Sequence, residues 1–208
     1  MCSFSCYKGS TYVGLNNRTV AVIDSNYHLH MSFITCSSPV FSITVYKDMI
    51  YLLIREDFFE VNVYDSSCTN VRQWMHSPFH DNSNCYSGDM MTVVSDQVVI
   101  ADPAYKRIVI YSLTGQILRH VPCSQLALSC IDICAVDDSS VIVLNHKSAQ
   151  VFRFNIATGD ILWTYMFRGL HKPHSAICWG EIYVLVVVRD SDTMMILDIR
   201  TGESFRQY

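Results

Sequence analysis

The sequence predicts an all-β chain made of five copies of one four-stranded antiparallel unit, and three observations carry that expectation. First, a residue that tolerates a left-handed turn recurs along the whole chain: Asn26, Asn70, Gly115, Gly159 and Gly202, at spacings of 44, 45, 44 and 43. Second, each of these structural-turn residues follows an apolar-rich run: TVAVID, FFEVNVYD, RIVIYSL, QVFRFNI and TMMILDI. Third, four of the five prolines (Pro39, Pro78, Pro122 and Pro173) fall one per gap between successive copies. Proline has no amide hydrogen to give to a sheet ladder, so it belongs in connectors. No window shows the i, i+3, i+4, i+7 period of an amphipathic helix.

The third unit is the clearest. Its strands are expected at about 90–95, 98–102, 108–112 and 116–121, with turns at 96–97, at 103–107 around Pro103, and at 114–115. The fourth unit reads IDICAV, DDS, VIVLN, HKSA, QVFRFN, ATG, DILWTY, and the fifth reads HSAICW, a turn at Gly180, EIYVLVVV, RDSD, TMMILDI, RTG, ESFRQ. In the first unit CSFSCY supplies the first strand and Lys8-Gly9 its turn. The units therefore span 1–36, 40–76, 89–121, 129–167 and 174–208 of a single domain, 1–208. A twisted four-stranded sheet has two apolar faces and cannot bury either alone. Stacking sheets about an axis covers both, which is the architecture of a β-propeller. It also explains why strands such as VIVL and YVLVVV are apolar throughout rather than alternating. Five units are compatible with a closed five-bladed ring or with an incomplete six-bladed one.

Composition narrows the function classes. Of 208 residues 50% are hydrophobic and only 16% charged, which speaks against disorder. The net charge is −4 and the densest basic spot is Lys106-Arg107, so the basic stripe of a dedicated nucleic-acid binder is missing. Nine cysteines at irregular spacings, behind an N-terminus without a basic start and apolar core, lead us to expect reduced thiols and a cytoplasmic, intracellular protein. The longest apolar run, 182–188, is too short to cross a bilayer as a helix, so no membrane partner is expected.

The stretch VVSDQVVIADPAYKRIVIYSLTGQILR resembles an NHL repeat: an apolar strand ending in Ala101-Asp102, a polar loop, Arg107 followed by an apolar strand with Ile108 and Tyr111, then the Gly115 turn. The match is concentrated in this unit; the fourth has Leu144-Asn145 and the second Ile54-Arg55 where Ala-Asp would stand. The resemblance, to the C-terminal propeller of TRIM-NHL-type proteins, implies a platform that recruits protein or RNA. The RING, B-box and coiled-coil segments of those proteins have no counterpart in this sequence, so ligase activity is not carried over.

Several groups of side chains could carry chemistry. His76, His80, Asp81 and Cys85 form a polar connector with zinc-capable side chains but no established ligand spacing, and His171 with His174 is similar. Cys130, Asp132 and Cys134 share one face of an innermost strand, either as a metal or redox group or as small thiols filling a narrow wall. Asp102, Asp132 and Asp137 are the carboxylates a propeller hydrolase or lyase would need, with only Asp132 expected to face a channel. Trp74 and Trp163 lie four residues past their turn residues, which suggests wedges between blades or, alternatively, stacking on a base or sugar. Tyr105, Lys106 and Arg107 occupy an exposed loop suited to an acidic partner. The reading that results is a non-catalytic scaffold without metal or cofactor, binding protein in preference to RNA through blade loops, with Tyr105, Lys106 and Arg107 as the contact. The alternative is a hydrolase or lyase with a metal or carboxylates at the channel mouth.

Overall fold

The computed structural model describes residues 3–15, 17–55, 58–78, 90–123, 131–167, 172–189 and 193–207. They form five four-stranded antiparallel sheets, each with its strands side by side in chain order. The first holds β1 (Ser3–Tyr7), β2 (Ser10–Leu15), β3 (Thr19–Ile23) and β4 (Leu29–Thr35). The second holds β5 (Val40–Tyr46), β6 (Met49–Arg55), β7 (Phe58–Tyr64) and β8 (Asn70–Pro78). The third holds β9 (Met91–Val94), β10 (Gln97–Asp102), β11 (Arg107–Ser112) and β12 (Ile117–Pro122). The fourth holds β13 (Ile131–Asp137), β14 (Ser140–Asn145), β15 (Gln150–Asn155) and β16 (Ile161–Met166). The fifth holds β17 (Lys172–Trp179), β18 (Tyr183–Arg189), β19 (Thr193–Asp198) and β20 (Ser204–Gln207). Among the described residues the helical structure is a single 3-10 turn, Pro103–Tyr105.

Apolar sequence sets the order of burial within a blade. Ser140–Asn145 is buried at every position because both faces of β14 are covered, whereas the last strand of the same sheet, β16, alternates half-buried and exposed residues. Val141, Val143, Phe152 and Phe154 pack toward the third blade against Val99, Ile108 and Ile110. Ile142, Leu144 and Val151 point the other way and meet Val184, Val186 and Leu197 of the fifth. Val20 and Ile34 of the first blade meet Ile43, Leu52 and Ile54 of the second in the same manner. Each such fully covered side chain contributes about 1.5–3 kcal/mol. The first two sheets with the start of β9 form one compact unit, and β10 through β20 belong to a second.

The turns explain the period and correct part of it. Gly115, Gly159 and Gly202 carry positive φ (87°, 86° and 74°) between the third and fourth strands of their blades. In the first two blades the left-handed residue is Tyr27 (φ 63°) and Cys68 (φ 61°), not Asn26 and Asn70. What is common to all five turns is the residue that opens them. Asp24, Asp65, Ser112, Asn155 and Asp198 each accept, through a side-chain oxygen, a backbone N–H two residues on. The left-handed position itself takes glycine in three of these turns and a larger residue in two. In the third blade the first turn is Ser95-Asp96, both at positive φ, one residue earlier than the sequence suggests. Two successive left-handed residues give the turn whose twist matches a hairpin.

Candidate functional site

The 103–107 loop joins β10 to β11, and its geometry divides the three predicted contact residues into two kinds. Asp102 and Arg107 are cross-strand partners at the hairpin end. The Arg107 Nε donates to the Asp102 carboxylate at 2.9 Å, and that carboxylate is only 3% exposed. Burial pushes the Asp102 carboxyl above its usual range, while the hydrogen bond and charge of Arg107 pull it back. The Tyr105 ring lies over the Arg107 guanidinium, 4.5 Å from ring centroid to Cζ. Lys106, in the left-handed region at φ 49°, is held by its amide on the Pro103 carbonyl and by its own carbonyl accepting from the Cys123 amide. Arg107 is thus a structural pin with a half-buried side chain, and Tyr105 and Lys106 are the exposed pair it presents.

A second feature lies at the other end of the blades. A cleft of about 370 Å³ between the fourth and fifth sheets is lined by Asp137, Asp138, Arg153, Glu181 and Arg200, with Val136 and Ile199 as its apolar wall. Arg153 uses all three guanidinium nitrogens there: Nε donates to Ser140 Oγ at 2.9 Å, Nη1 to the Ile199 carbonyl at 3.1 Å, and Nη2 to Asp137 at 2.5 Å. Burial alone would raise the Asp137 carboxyl. The Ser139 amide, the Ser140 and Ser139 hydroxyls and the Arg153 charge outweigh it and hold the group below the usual carboxylate range. The Trp163 indole donates to the same Ile199 carbonyl at 3.0 Å. Its ring lies where a Cβ added to Gly202 would come within 2.6 Å, so Trp163 is the wedge that its spacing suggests. These contacts tie two blades together and pair Arg153 with Asp137 inside the cleft.

The three candidate carboxylates do not converge. Asp102 is paired at the β10–β11 hairpin, and Asp137 sits at the opposite, β13–β14 end of a blade. Asp132, expected to face a channel, is buried between inner strands instead. It accepts from the Ser175 hydroxyl at 2.8 Å and from the Ala176 amide at 2.7 Å. Cys134 lies 3.3 Å from Cys178, and its thiol is held well above its usual range by the hydrogen bond to Cys178, by burial and by the neighbouring charges. The Cys134 thiol is thereby kept protonated, which is packing chemistry rather than ligation. Among the described residues no group of three His, Cys, Asp or Glu is arranged to hold a metal ion. His76 lies on β8 and His174 on β17, while His80, Asp81, Cys85, Cys130 and His171 fall outside the described residues. No helix among the described residues is long and apolar enough to cross a membrane.

Sequence reasoning missed Arg153 and the Asp132–Ala176 contact. Asp137 and Arg153 lie on different strands, and only the pairing of β13 with β14 and of β14 with β15 brings them together.

No family model and no curated protein sequence matches this chain. Its fold matches many solved structures. The WD40 β-propeller domain of Doa1 superposes with a TM-score of 0.72 at 14% identity, over 99% of this chain and 67% of that one. A protein of unknown function from Bacteroides caccae gives 0.72 at 10% identity, over 99% of this chain and 80% of that one. The computationally designed protein Ika8 gives 0.65 at 18% identity, and this chain spans 60% of its length. At such identities the likeness concerns fold alone, and the fold is an all-β propeller of five four-stranded blades.

Proposed function

We propose that this chain is an intracellular, cytoplasmic interaction propeller that holds a protein partner on its blade loops and performs no catalysis. The observation that carries the reading is the Tyr105–Arg107 pair. The aromatic ring is stacked on a guanidinium that a buried carboxylate already fixes, with Lys106 exposed beside it. Tyrosine and arginine are the side chains most often found as interface anchors. Ordering them before the partner arrives reduces the entropy lost on binding. The exposed hydroxyl and ammonium suit an acidic or carbonyl-rich protein segment. The net charge of −4 favours protein over RNA. The Ala101-Asp102 and Arg107 pattern that gives the third blade its NHL-like character is the same pattern that builds the pin.

The test is retention of cellular proteins on the immobilised chain, compared with Tyr105→Ala/Lys106→Ala. The expected result is a partner retained by the wild type and lost by the double variant at unchanged thermal stability. Retention of the same proteins by both would remove this loop from the interface. Arg107 is left intact because its removal strands the Asp102 carboxylate.

A further inference from the structure

Arg153 breaks the repeat. It lies two residues before Asn155, the residue that opens its turn, and the same place holds Val22, Val63, Ile110 and Ile196 in the other four blades. A charge at a position that is β-branched and apolar in the other copies costs desolvation, and breaks of this kind concentrate at functional sites. What Arg153 builds is one wall of the cleft between the fourth and fifth sheets. Its bonds to Ser140 and Asp137 stay within the fourth blade, and its bond to the Ile199 carbonyl reaches the fifth.

The turns that rim this cleft are fixed as well. In the fourth blade the Ile156 amide donates to the Ser139 carbonyl at 2.9 Å, which holds the β13–β14 turn. In the fifth the Ile199 amide donates to the Ile182 carbonyl at 2.7 Å, which holds the β17–β18 turn in the same way. The Asp198 carboxylate accepts from the Arg200 and Thr201 amides at 2.7 and 2.9 Å and sets the β19–β20 turn. The backbone around the cleft is therefore ordered before any ligand enters.

Three charged side chains in the lining remain uncommitted. Asp138 stands on the β13–β14 turn, Glu181 on the β17–β18 turn and Arg200 on the β19–β20 turn. Among the described residues their side chains make no hydrogen bond and no ion pair, and all three are exposed. Arg200 feels the charge of Asp198, whose carboxylate is already occupied by the two amides. Val136 and Ile199 supply apolar surface beside them. The cleft volume of about 370 Å³ is at the lower end of the range for small-molecule sites.

Two carboxylates and one guanidinium against an apolar wall are the complement of two cationic groups, one carboxylate and a methylene chain. We propose that this cleft binds a free basic amino acid. Its carboxylate pairs with Arg200, its two cationic groups with Asp138 and Glu181, and its methylenes lie along Val136 and Ile199. A guanidinium takes a carboxylate through two parallel hydrogen bonds, which suits Arg200 to this part of the ligand. The site does not rest on the Tyr105–Lys106 loop, which lies at the other end of the blades.

The test is titration calorimetry of the intact chain with L-lysine, with cadaverine, which is lysine without its carboxylate, and with L-norleucine, which is lysine without its side-chain ammonium. The expected result is saturable binding of L-lysine, with both analogues weaker by about tenfold or more. Glu181→Gln and Arg200→Gln each weaken L-lysine by a similar factor at unchanged melting temperature, and Arg200→Gln leaves cadaverine as it was. No binding of L-lysine up to about 10 mM overturns the proposal. Cadaverine bound as tightly as L-lysine overturns the assignment of Arg200 and of the amino-acid class. Equal affinity of the wild type and both variants places the ligand elsewhere and overturns the cleft.

Discussion

The two faces of the fifth blade are made of similar residues and meet different fates. On one, Val184, Val186 and Leu197 are sealed against the fourth blade, Asp132 caps the Ala176 amide, and Gly202 admits the Trp163 ring. On the other, Ile177, Trp179 and Phe205 stand exposed. A blade is thus specified as a two-sided object. Its apolar content reports what must be covered, whereas the polar residue on its innermost strand and the small residue at its last turn report how the neighbour fits.

The largest effects are expected at the glycines. Gly202→Ala puts a methyl within 2.6 Å of Trp163 at φ 74°, so a loss of about 2–4 kcal/mol is expected in urea unfolding. Gly180→Ala has a similar φ of 65° but nothing within 4 Å, and the expected loss is about 1–2 kcal/mol. Equal losses would mean that the wedge contact carries no weight. Trp163→Ala and Trp179→Ala form the next pair. The first removes a half-buried ring and its hydrogen bond to Ile199, for about 2–3 kcal/mol, while the second changes the stability of a single copy by about 0.5 kcal/mol or less.

Smaller effects probe the two ends of the blades. Arg107→Ala leaves the Asp102 carboxylate buried and unpaired, for about 1–3 kcal/mol, whereas Tyr105→Ala stays within about 0.5 kcal/mol. The pH dependence separates the same regions by sign. The Asp137 carboxyl is held low, so its contribution is present above the ordinary aspartate range and lost as pH falls through its folded value. Asp102 is held high, so its contribution is present below that range and lost as pH rises through its folded value. Melting curves of Asp137→Asn should therefore depend less steeply on acid than the wild type, and those of Asp102→Asn more steeply. Thiol alkylation gives the mildest test. Cys6 is exposed and reacts at once, whereas Cys36, pushed up to about 11 by burial against a small opposing bond from Tyr64, reacts only on unfolding.

Much of this architecture was legible in the sequence for physical reasons. Turns at Gly115, Gly159 and Gly202 need left-handed backbone, and proline cannot sit in a ladder, so both mark the period wherever the residue type is forced. In the first two blades the left-handed position carries Tyr27 and Cys68, and there the glycine signal fades. Aligning the residue that opens the turn would have found all five. The offset of Trp163 past its turn revealed a wedge because Gly202, having no side chain, leaves room for the ring. The site was less legible. Arg107 reads as a loop cation until register shows it opposite Asp102, and Asp132 reads as channel-facing until the next blade's amide is placed beside it. Contacts between strands and between blades depend on register and stacking, which residue types alone do not encode.

What joins the fourth blade to the fifth is a buried polar contact beside an apolar seal: Asp132 accepts from the Ala176 amide at 2.7 Å. Urea unfolding of Asp132→Ala tests it most directly, because the variant leaves a buried amide without its acceptor. A loss of about 1–3 kcal/mol is predicted. A variant as stable as the wild type would contradict it.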